Sequence, residues 1–421
     1  MSGTLADWLE RQERTHPNAI DLTLDRVREV ARRLGLLTPA YRVVTVAGTN
    51  GKGSTVAYLD AVLRAHGVRA GRFTSPHLER YNERICVDGV EASDAALIDS
   101  FERIDAARGD ITLTFFEYNA LAALDHFGRE RVDAAVLEVG LGGRLDATNI
   151  IDADVGIVCS IGLDHVDWLG GTLEQIGREK AGIFRAGRPA VLGSPTLPRS
   201  VFEEIERIGA RPVQIGRDFH VRPTHAGAGG SWDFECGHVT LRELPPPALA
   251  GAPQLANAAT ALAALTVGLV ELTMDAARVG RALRSVRING RFQVIPGEIE
   301  WVLDVAHNVP AATVLAENLR QLPKRRTIAV CGILADKDVA GIAATLAADV
   351  DLWIPVTLTG PRALSRDELA RRLPAGAAID AHAGDVSSAC RRARELARPG
   401  DRIVVFGSFL TVGPALEFLG I

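Results

Sequence analysis

"VVTVAGTNGKGSTVAYL", residues 43 to 59, is a short apolar run, then a glycine-rich turn with one lysine, then a stretch with helical spacing. Read as strand, loop and helix, it can hold phosphate. Glycines let backbone N–H groups approach an anion, and a helix N-terminus favours negative charge. It departs from the common form G-x-x-x-x-G-K-[ST], in which the hydroxyl residue directly follows the lysine. Here Gly53 stands between Lys52 and Ser54, and the first glycine of the common spacing would fall at Val46. The competing reading is a glycine-rich turn with an exposed lysine. The strand–loop–helix context favours phosphate binding. From Ser54 to Gly67 the spacing predicts a helix with Val56, Leu59, Val62 and Leu63 on one face and Gly67 at its end.

Outward from this unit the same texture repeats. "YRVVTVAG" (41–48), "VDAAVLEVG" (132–140), "ADVGIVCSIG" (153–162) and "RPAVLGS" (188–194) are short apolar runs closed by glycine or a polar turn. Separated by helical stretches, they predict parallel strands buried on both faces. Between 211 and 247 the pattern changes: "HAGAGGSWDFECGHVTLREL" alternates like a hairpin, and Pro245, Pro246 and Pro247 follow as a stiff connector. "QLANAATALAALTVGLVEL" (254–272) predicts a helix, and "RINGRFQVIPGEI" (287–299) a domain junction. A second block then alternates "IEWVLDVAHN", "RTIAVCGIL", "DLWIPVTL" and "RIVVFGSF" with helices, one of them opened by the capping box "SRDE" at 365–368. The expected architecture is two doubly wound α/β domains. Residues 1–293 form a P-loop-type, mostly parallel sheet with a small β excursion at about 211–247, and 294–421 a smaller Rossmann-like domain.

Composition narrows the function. With 47 Lys and Arg against 52 Asp and Glu, the net charge is −5, which gives no support for nucleic acid or an anionic membrane as main partner. No run reaches roughly 18 apolar residues, so no transmembrane helix is expected. The start, "MSGTLADWLERQERTHP", lacks the basic-then-apolar pattern of a signal peptide. Five scattered cysteines, none in C-x-x-C or beside a histidine at metal spacing, read as reduced structural thiols of a cytoplasmic protein.

Ligands of such sheets bind beyond the C-terminal ends of the strands. Gly48 to Thr55 occupy such an end. Glu138 ends the next buried strand and is either an oxygen ligand for Mg²⁺ or a capping carboxylate. Asp164 and His165 follow the strand after that; a histidine there is more often structural than a magnesium ligand. Asp304, His307 and Asn308 follow "IEWVL" and read equally as a ligand site or as a polar turn capping a helix.

Together, "AGTNGKGST" (47–55), "FTSPHLERYNERI" (73–85), "LEVGLGGRLDATN" (137–149), "GLDHVDWLGGTLEQIGREKAGIFR" (162–185), "NGRFQ" (289–293), "LDVAHNVPA" (303–311) and "FGSFLTV" (406–412) resemble, in order, the motifs of the folylpolyglutamate synthase/dihydrofolate synthase family within the Mur ligase superfamily. The likeness covers nearly the whole chain, and the long central run looks most like the bacterial bifunctional enzymes. In that superfamily the Lys-Gly-Ser order is normal. The resemblance implies ATP contacts from Thr49, Asn50, Gly51, Lys52, Gly53, Ser54, Asn257, Arg291, Asp304, His307 and Asn308. It implies two Mg²⁺ ions, with Ser75 and Glu138 at the first and Glu138 and His165 at the second. Lys180 matches the position of a carbamylated lysine, formed from CO₂; its alternative is an ordinary salt-bridged lysine. Dihydropteroate contacts are implied for Thr114, Phe115, Phe116 and Glu117, and for Leu145, Asp146 and Ala147. The ring of Phe116 could stack on a flat pterin, or belong to the core.

The implied reaction is ATP-dependent amide synthesis. ATP phosphorylates a carboxylate, and L-glutamate attacks the acyl phosphate, with dihydropteroate or a reduced folate as acceptor. Lys52, Lys180, His165 and Arg291 are the expected catalytic residues. ATP would lie between the domains. Ser408 and "GPRALS" (360–365) are second-domain candidates for the unlocated L-glutamate pocket. A monomer suffices. The alternatives are a monofunctional folylpolyglutamate synthase and a muramyl-peptide-type ligase. The latter would need an N-terminal UDP-binding domain, for which too little sequence precedes residue 46. A P-loop switch or kinase leaves "NGRF" and "DVAHN" without a role, and a non-catalytic folate- or nucleotide-binding protein would require a lost metal ligand.

Overall fold

The structure of the chain, a computed structural model, describes residues 3–18, 20–224, 230–269, 271–360 and 362–421. Packing divides it into two units. The first comprises Met1–Gly162, Leu169–Ala248 and Gln254–Val286; the second comprises Leu163–Trp168, Leu249–Pro253 and Arg287–Ile421. Residues 287–293, which the sequence reading gave to the first domain, therefore pack with the second unit. The reason is local: Val305 N donates to Gly290 O at 2.9 Å and Phe292 N to Asp304 Oδ2 at 2.8 Å.

In the first unit, β1 (Arg42–Ala47), β2 (Ala70–Phe73), β3 (Ile85–Val87), β4 (Val90–Glu91), β5 (Ala134–Glu138), β6 (Val155–Val158), β7 (Pro189–Leu192) and β8 (Arg211–Gln214) form one sheet, ordered β4-β3-β2-β5-β1-β6-β7-β8. All neighbours from β2 to β8 are parallel, and β3 and β4 add an antiparallel edge. Every residue of β5, β6 and β7 is buried, as parallel strands covered on both faces must be. β1 lies between β5 and β6, where the direction of strand addition reverses. That is the switch point at which doubly wound sheets take their ligands.

The helix after β1 runs Lys52–Ala65, and Gly67, at φ +80°, follows it. Its four expected face residues are buried, and so is every other residue from Ser54 to Leu63. The sheet covers one side and the helix Ala276–Ser285 packs on it as well. The expected helix at 254–272 runs instead Ala252–Thr266, and Gly268, at φ +108°, lies just beyond its end. The β excursion is a three-stranded antiparallel sheet of β9 (Phe219–Pro223), β10 (Trp232–Cys236) and β11 (Val239–Leu244). Residues 225–229 of the predicted hairpin stretch lie outside the described residues, as does Pro361 of "GPRALS". Trp232 Nε1 donates to Pro245 O at 2.9 Å and so ties the proline run to this sheet.

The second unit holds β12 (Gln293–Ile295), β13 (Glu300–Asp304), β14 (Thr327–Cys331), β15 (Leu352–Pro355) and β16 (Arg402–Phe406), ordered β12-β13-β16-β14-β15. Only β12 is antiparallel. Ser365 and Glu368 form the expected capping box. All five cysteines are free and buried. Among the described residues no helix is long and apolar enough to cross a membrane.

Candidate active site

The loop after β1 is fastened rather than loose. Thr49 N donates to Ser160 O at 2.8 Å, and Asn50 N to Ser160 Oγ at 3.1 Å. Thr49 Oγ1 donates to Gly162 O at 3.1 Å and accepts from Gly162 N at 3.0 Å. Lys52 Nζ donates to Gly48 O at 3.0 Å, which folds the lysine back over its own loop. Gly51 caps the helix at φ +87°, and a Cβ there would lie 2.6 Å from Asn257 Oδ1. Asn257, itself buried, thus closes over Gly51. Ser160 was not singled out from the sequence, although it follows a strand end as the loop does.

Glu138 ends β5 opposite Val46 of β1, beside the start of the loop. It is 5% exposed, and its Oε2 accepts from Ser75 N at 3.4 Å, so two of the three expected metal residues meet. Cys159, just past β6, marks the floor of this region. Burial pushes its thiol up to about 11, and its hydrogen bond to Thr55 and the charges of Lys52, Glu138 and Lys180 also act on it. The charges of all three candidates therefore reach one thiol. Lys180 is buried near the C-terminal end of the helix Leu173–Ala181. The "GLGG" loop packs against that turn: a Cβ on Gly143 would come within 2.9 Å of Glu179 O and Lys180 O. Arg144 N donates to Glu179 O at 2.8 Å.

No group of three His, Cys, Asp or Glu side chains is arranged to hold a metal among the described residues. That does not exclude magnesium, which takes one or two carboxylates and completes its shell with phosphate oxygens and water. A buried carboxylate beside a glycine-rich strand-end loop and a serine suits it. His165 belongs to the second unit, at φ +51°.

Thr114 and Glu117 form a capping box on the helix Phe115–Arg129, and Glu117 also pairs with Arg26 at 3.2 Å. Both side chains are thus engaged within the fold. Phe115 and Phe116 are both half-buried. Phe116 lies 5.8 Å from the Phe73 ring, and a Cβ on Gly140 would be 2.5 Å from its Cζ. One face of Phe116 therefore rests on the backbone two residues past Glu138. Asp146 turns inward: it accepts from Leu141 N at 2.9 Å, Thr148 N at 3.0 Å and Thr148 Oγ1 at 2.7 Å. Burial raises its pKa, and those hydrogen bonds oppose the rise. Leu145 is half-buried and Ala147 buried beside it.

In the second unit, Asp164 is a hub. Lys337 Nζ lies 2.5 Å from its Oδ1, and Asn308 Nδ2 donates to Oδ2 at 3.0 Å, with His307 Nε2 at 3.5 Å. The side chains of Asp164 and Lys337 are 7% and 6% exposed. Burial disfavours ionisation of Asp164. The His307 hydrogen bond and the charges of His165, Lys337 and His307 outweigh it and hold the pKa well below the usual carboxylate range. Lys337→Met leaves that carboxylate short of its cation, so unfolding of the second unit in urea is expected to show a loss of about 3–5 kcal/mol. A loss below about 1 kcal/mol would rank the pair with exposed ones. Asn308 also caps the helix Val309–Gln321 through Ala311 N at 3.0 Å, so the polar-turn reading holds for it. Asp304 accepts from Phe292 N and Ala306 N, both at 2.8 Å. Arg291 lies over the Phe409 ring at 5.4 Å. Lys337 escaped the sequence reading, although its place just beyond β14 satisfies the strand-end rule.

Residues 46–193 match the family model of the Mur ligase middle domain, and residues 290–409 that of the Mur ligase, glutamate ligase domain. The dihydrofolate synthase/folylpolyglutamate synthase of Escherichia coli (strain K12) is 45% identical over 416 residues, 99% of this chain and 95% of that one. The solved structure of E. coli FolC in complex with DHPP and ADP matches with a TM-score of 0.93 at 43% identity, over 100% of this chain and 98% of that one. A bifunctional folylpolyglutamate synthase/dihydrofolate synthase with Mn, AMPPNP and L-glutamate bound matches at 0.91 and 44%, over 100% and 99%. The chain belongs to the dihydrofolate synthase/folylpolyglutamate synthase family of Mur ligases.

Proposed function

We propose that the chain joins L-glutamate to dihydropteroate, and to the glutamate tail of reduced folates, with conversion of ATP to ADP through an acyl phosphate. The observation that carries this reading is the alignment of the Gly48–Ser54 loop with Glu138 across paired strands, in a chain whose whole length matches such ligases. ATP and a divalent metal are its cofactors. Two Mg²⁺ ions are the finer proposal, with Ser75, Glu138 and His165 as ligands. Bound magnesium would offset the charge of the triphosphate. Lys52 and the loop amides stabilise charge that develops on the transferred phosphoryl group. Carbamylation of Lys180, ATP contacts from Asn257, Arg291, Asp304 and His307, a two-domain division near 293, a monomeric state and a cytoplasmic location belong to the same proposal.

The test is ADP release from ATP, Mg²⁺ and L-glutamate with dihydropteroate or tetrahydrofolate as acceptor. Release with both is expected. No release with either, beside turnover of muramyl substrates, would refute the reading. The pterin side has its own test. Gly140→Ala drives a methyl into Phe116, whose would-be neighbour distance is 2.5 Å. The KM for dihydropteroate is expected to rise about tenfold, with the KM for ATP unchanged. Equal rises in both would place Phe116 outside the acceptor pocket.

A further inference from the structure

Arg84 ends the short turn Tyr81–Arg84 and is 7% exposed. A guanidinium keeps its charge at any working pH, so its burial is costly unless an anion meets it. Arg402, 3% exposed, meets one: it donates to Glu300 Oε1 at 2.6 Å. Arg84 has no such partner. Among the described residues its one side-chain hydrogen bond runs from Nε to His77 Nδ1, at 2.8 Å, and no carboxylate lies within ion-pair distance.

The charges of Glu83 and Glu138 reach Arg84 from beyond ion-pair distance, and its direct neighbours orient it without supplying an anion. The rings of Tyr81 and Phe115 lie 5.7 and 5.5 Å from its guanidinium carbon. Aromatic faces attract a cation but carry no net charge. A histidine carries no negative charge in either protonation state, so His77 supplies no counter-anion. The Nη edge is left as a fork of parallel donors, the shape that fits a carboxylate.

Its position indicates which carboxylate. Phe115, against the guanidinium, is the chain neighbour of Phe116. Arg84 O accepts from Thr74 N at 2.9 Å, one residue before Ser75, and the charge of Glu138 reaches the guanidinium. Arg84 thus neighbours the proposed pterin platform through its side chain and the residue before Ser75 through its backbone. We propose that Arg84 binds the carboxylate of the pterin-bearing acceptor and holds it for phosphorylation, an assignment that rests on the ligase reading above. In that step one carboxylate oxygen forms a bond to the γ-phosphorus. The bond from phosphorus to the bridging oxygen breaks, and ADP leaves with its electron pair. Arg84 keeps its hydrogen bonds to the other carboxylate oxygen and forms no covalent bond.

The test compares equilibrium binding of dihydropteroate and of its carboxamide analogue to the full chain. Wild type is expected to prefer the carboxylate by about 30-fold. Arg84→Met is expected to bind both probes alike, while it binds ATP as wild type does. Should Arg84→Met lose ATP binding and so betray misfolding, Arg84→Gln supplies the same comparison. A preference kept in a folded variant, or absent from wild type, overturns the assignment. So does a raised KM for L-glutamate with unchanged acceptor binding. Wild type that binds neither probe yet ligates another acid refutes the pterin reading instead.

Discussion

Glu138→Gln is expected to lower kcat by about 10²–10³ and to leave the melting temperature within a few degrees. Glutamine has nearly the same size and keeps an oxygen that can accept from Ser75 N, now at 3.4 Å. It removes one negative charge from a buried position beside the phosphate loop. That charge is what a divalent metal needs. Because the interaction is made with the reacting triphosphate, the loss should fall on kcat more than on acceptor KM. Raising Mg²⁺ should recover part of the rate. Steady-state kinetics across a metal series, with a melting curve of the variant, checks both halves. Full activity at low Mg²⁺ would remove Glu138 from the metal site.

Gly51→Ala is expected to weaken ATP binding by about 100-fold. The left-handed conformation at φ +87° costs an alanine about 1–2 kcal/mol. The added methyl would also stand 2.6 Å from Asn257 Oδ1, so either the loop or Asn257 must move. Together these reach about 3 kcal/mol, which is roughly two decades of affinity. Gly67→Ala is the control. It has a similar φ of +80° but nothing within 4 Å, and it lies at the far end of the same helix. It should cost about 1 kcal/mol of stability and no nucleotide affinity. Calorimetric titration with a non-hydrolysable ATP analogue separates the two. Equal affinity for Gly51→Ala and wild type would deny that the loop closes on phosphate.

Strand ends were legible because a buried parallel strand must be apolar along its length, and a polar residue at its end stands out. Gly48–Ser54, Glu138 and Asp304 were found in that way. Contacts between distant segments were not. Lys337 and Asp164 are 173 residues apart, and no local pattern links them. Asp146 was named only through the family resemblance, and in the fold its oxygens accept from neighbours in its own turn. Arg84 lay inside a quoted motif, yet its want of a carboxylate partner is a property of the folded chain alone. For the helix Lys52–Ala65 periodicity marked one face, and the burial of its other residues comes from a second helix that packs on it.

The position of β1 has a consequence for synthesis of the chain. Its two neighbours are β5 and β6, and Val155, the first residue of β6, is made 108 residues after Ala47 (155 − 47). At ribosomal rates that interval is roughly 5–20 s. Until β5 begins at Ala134, 87 residues after Ala47 (134 − 47), the apolar segment "RVVTVA" has no parallel partner on either side, and until β6 it has one only. The strand that leads into the proposed nucleotide loop is therefore, while the chain is nascent, an unpaired apolar segment that a chaperone would cover.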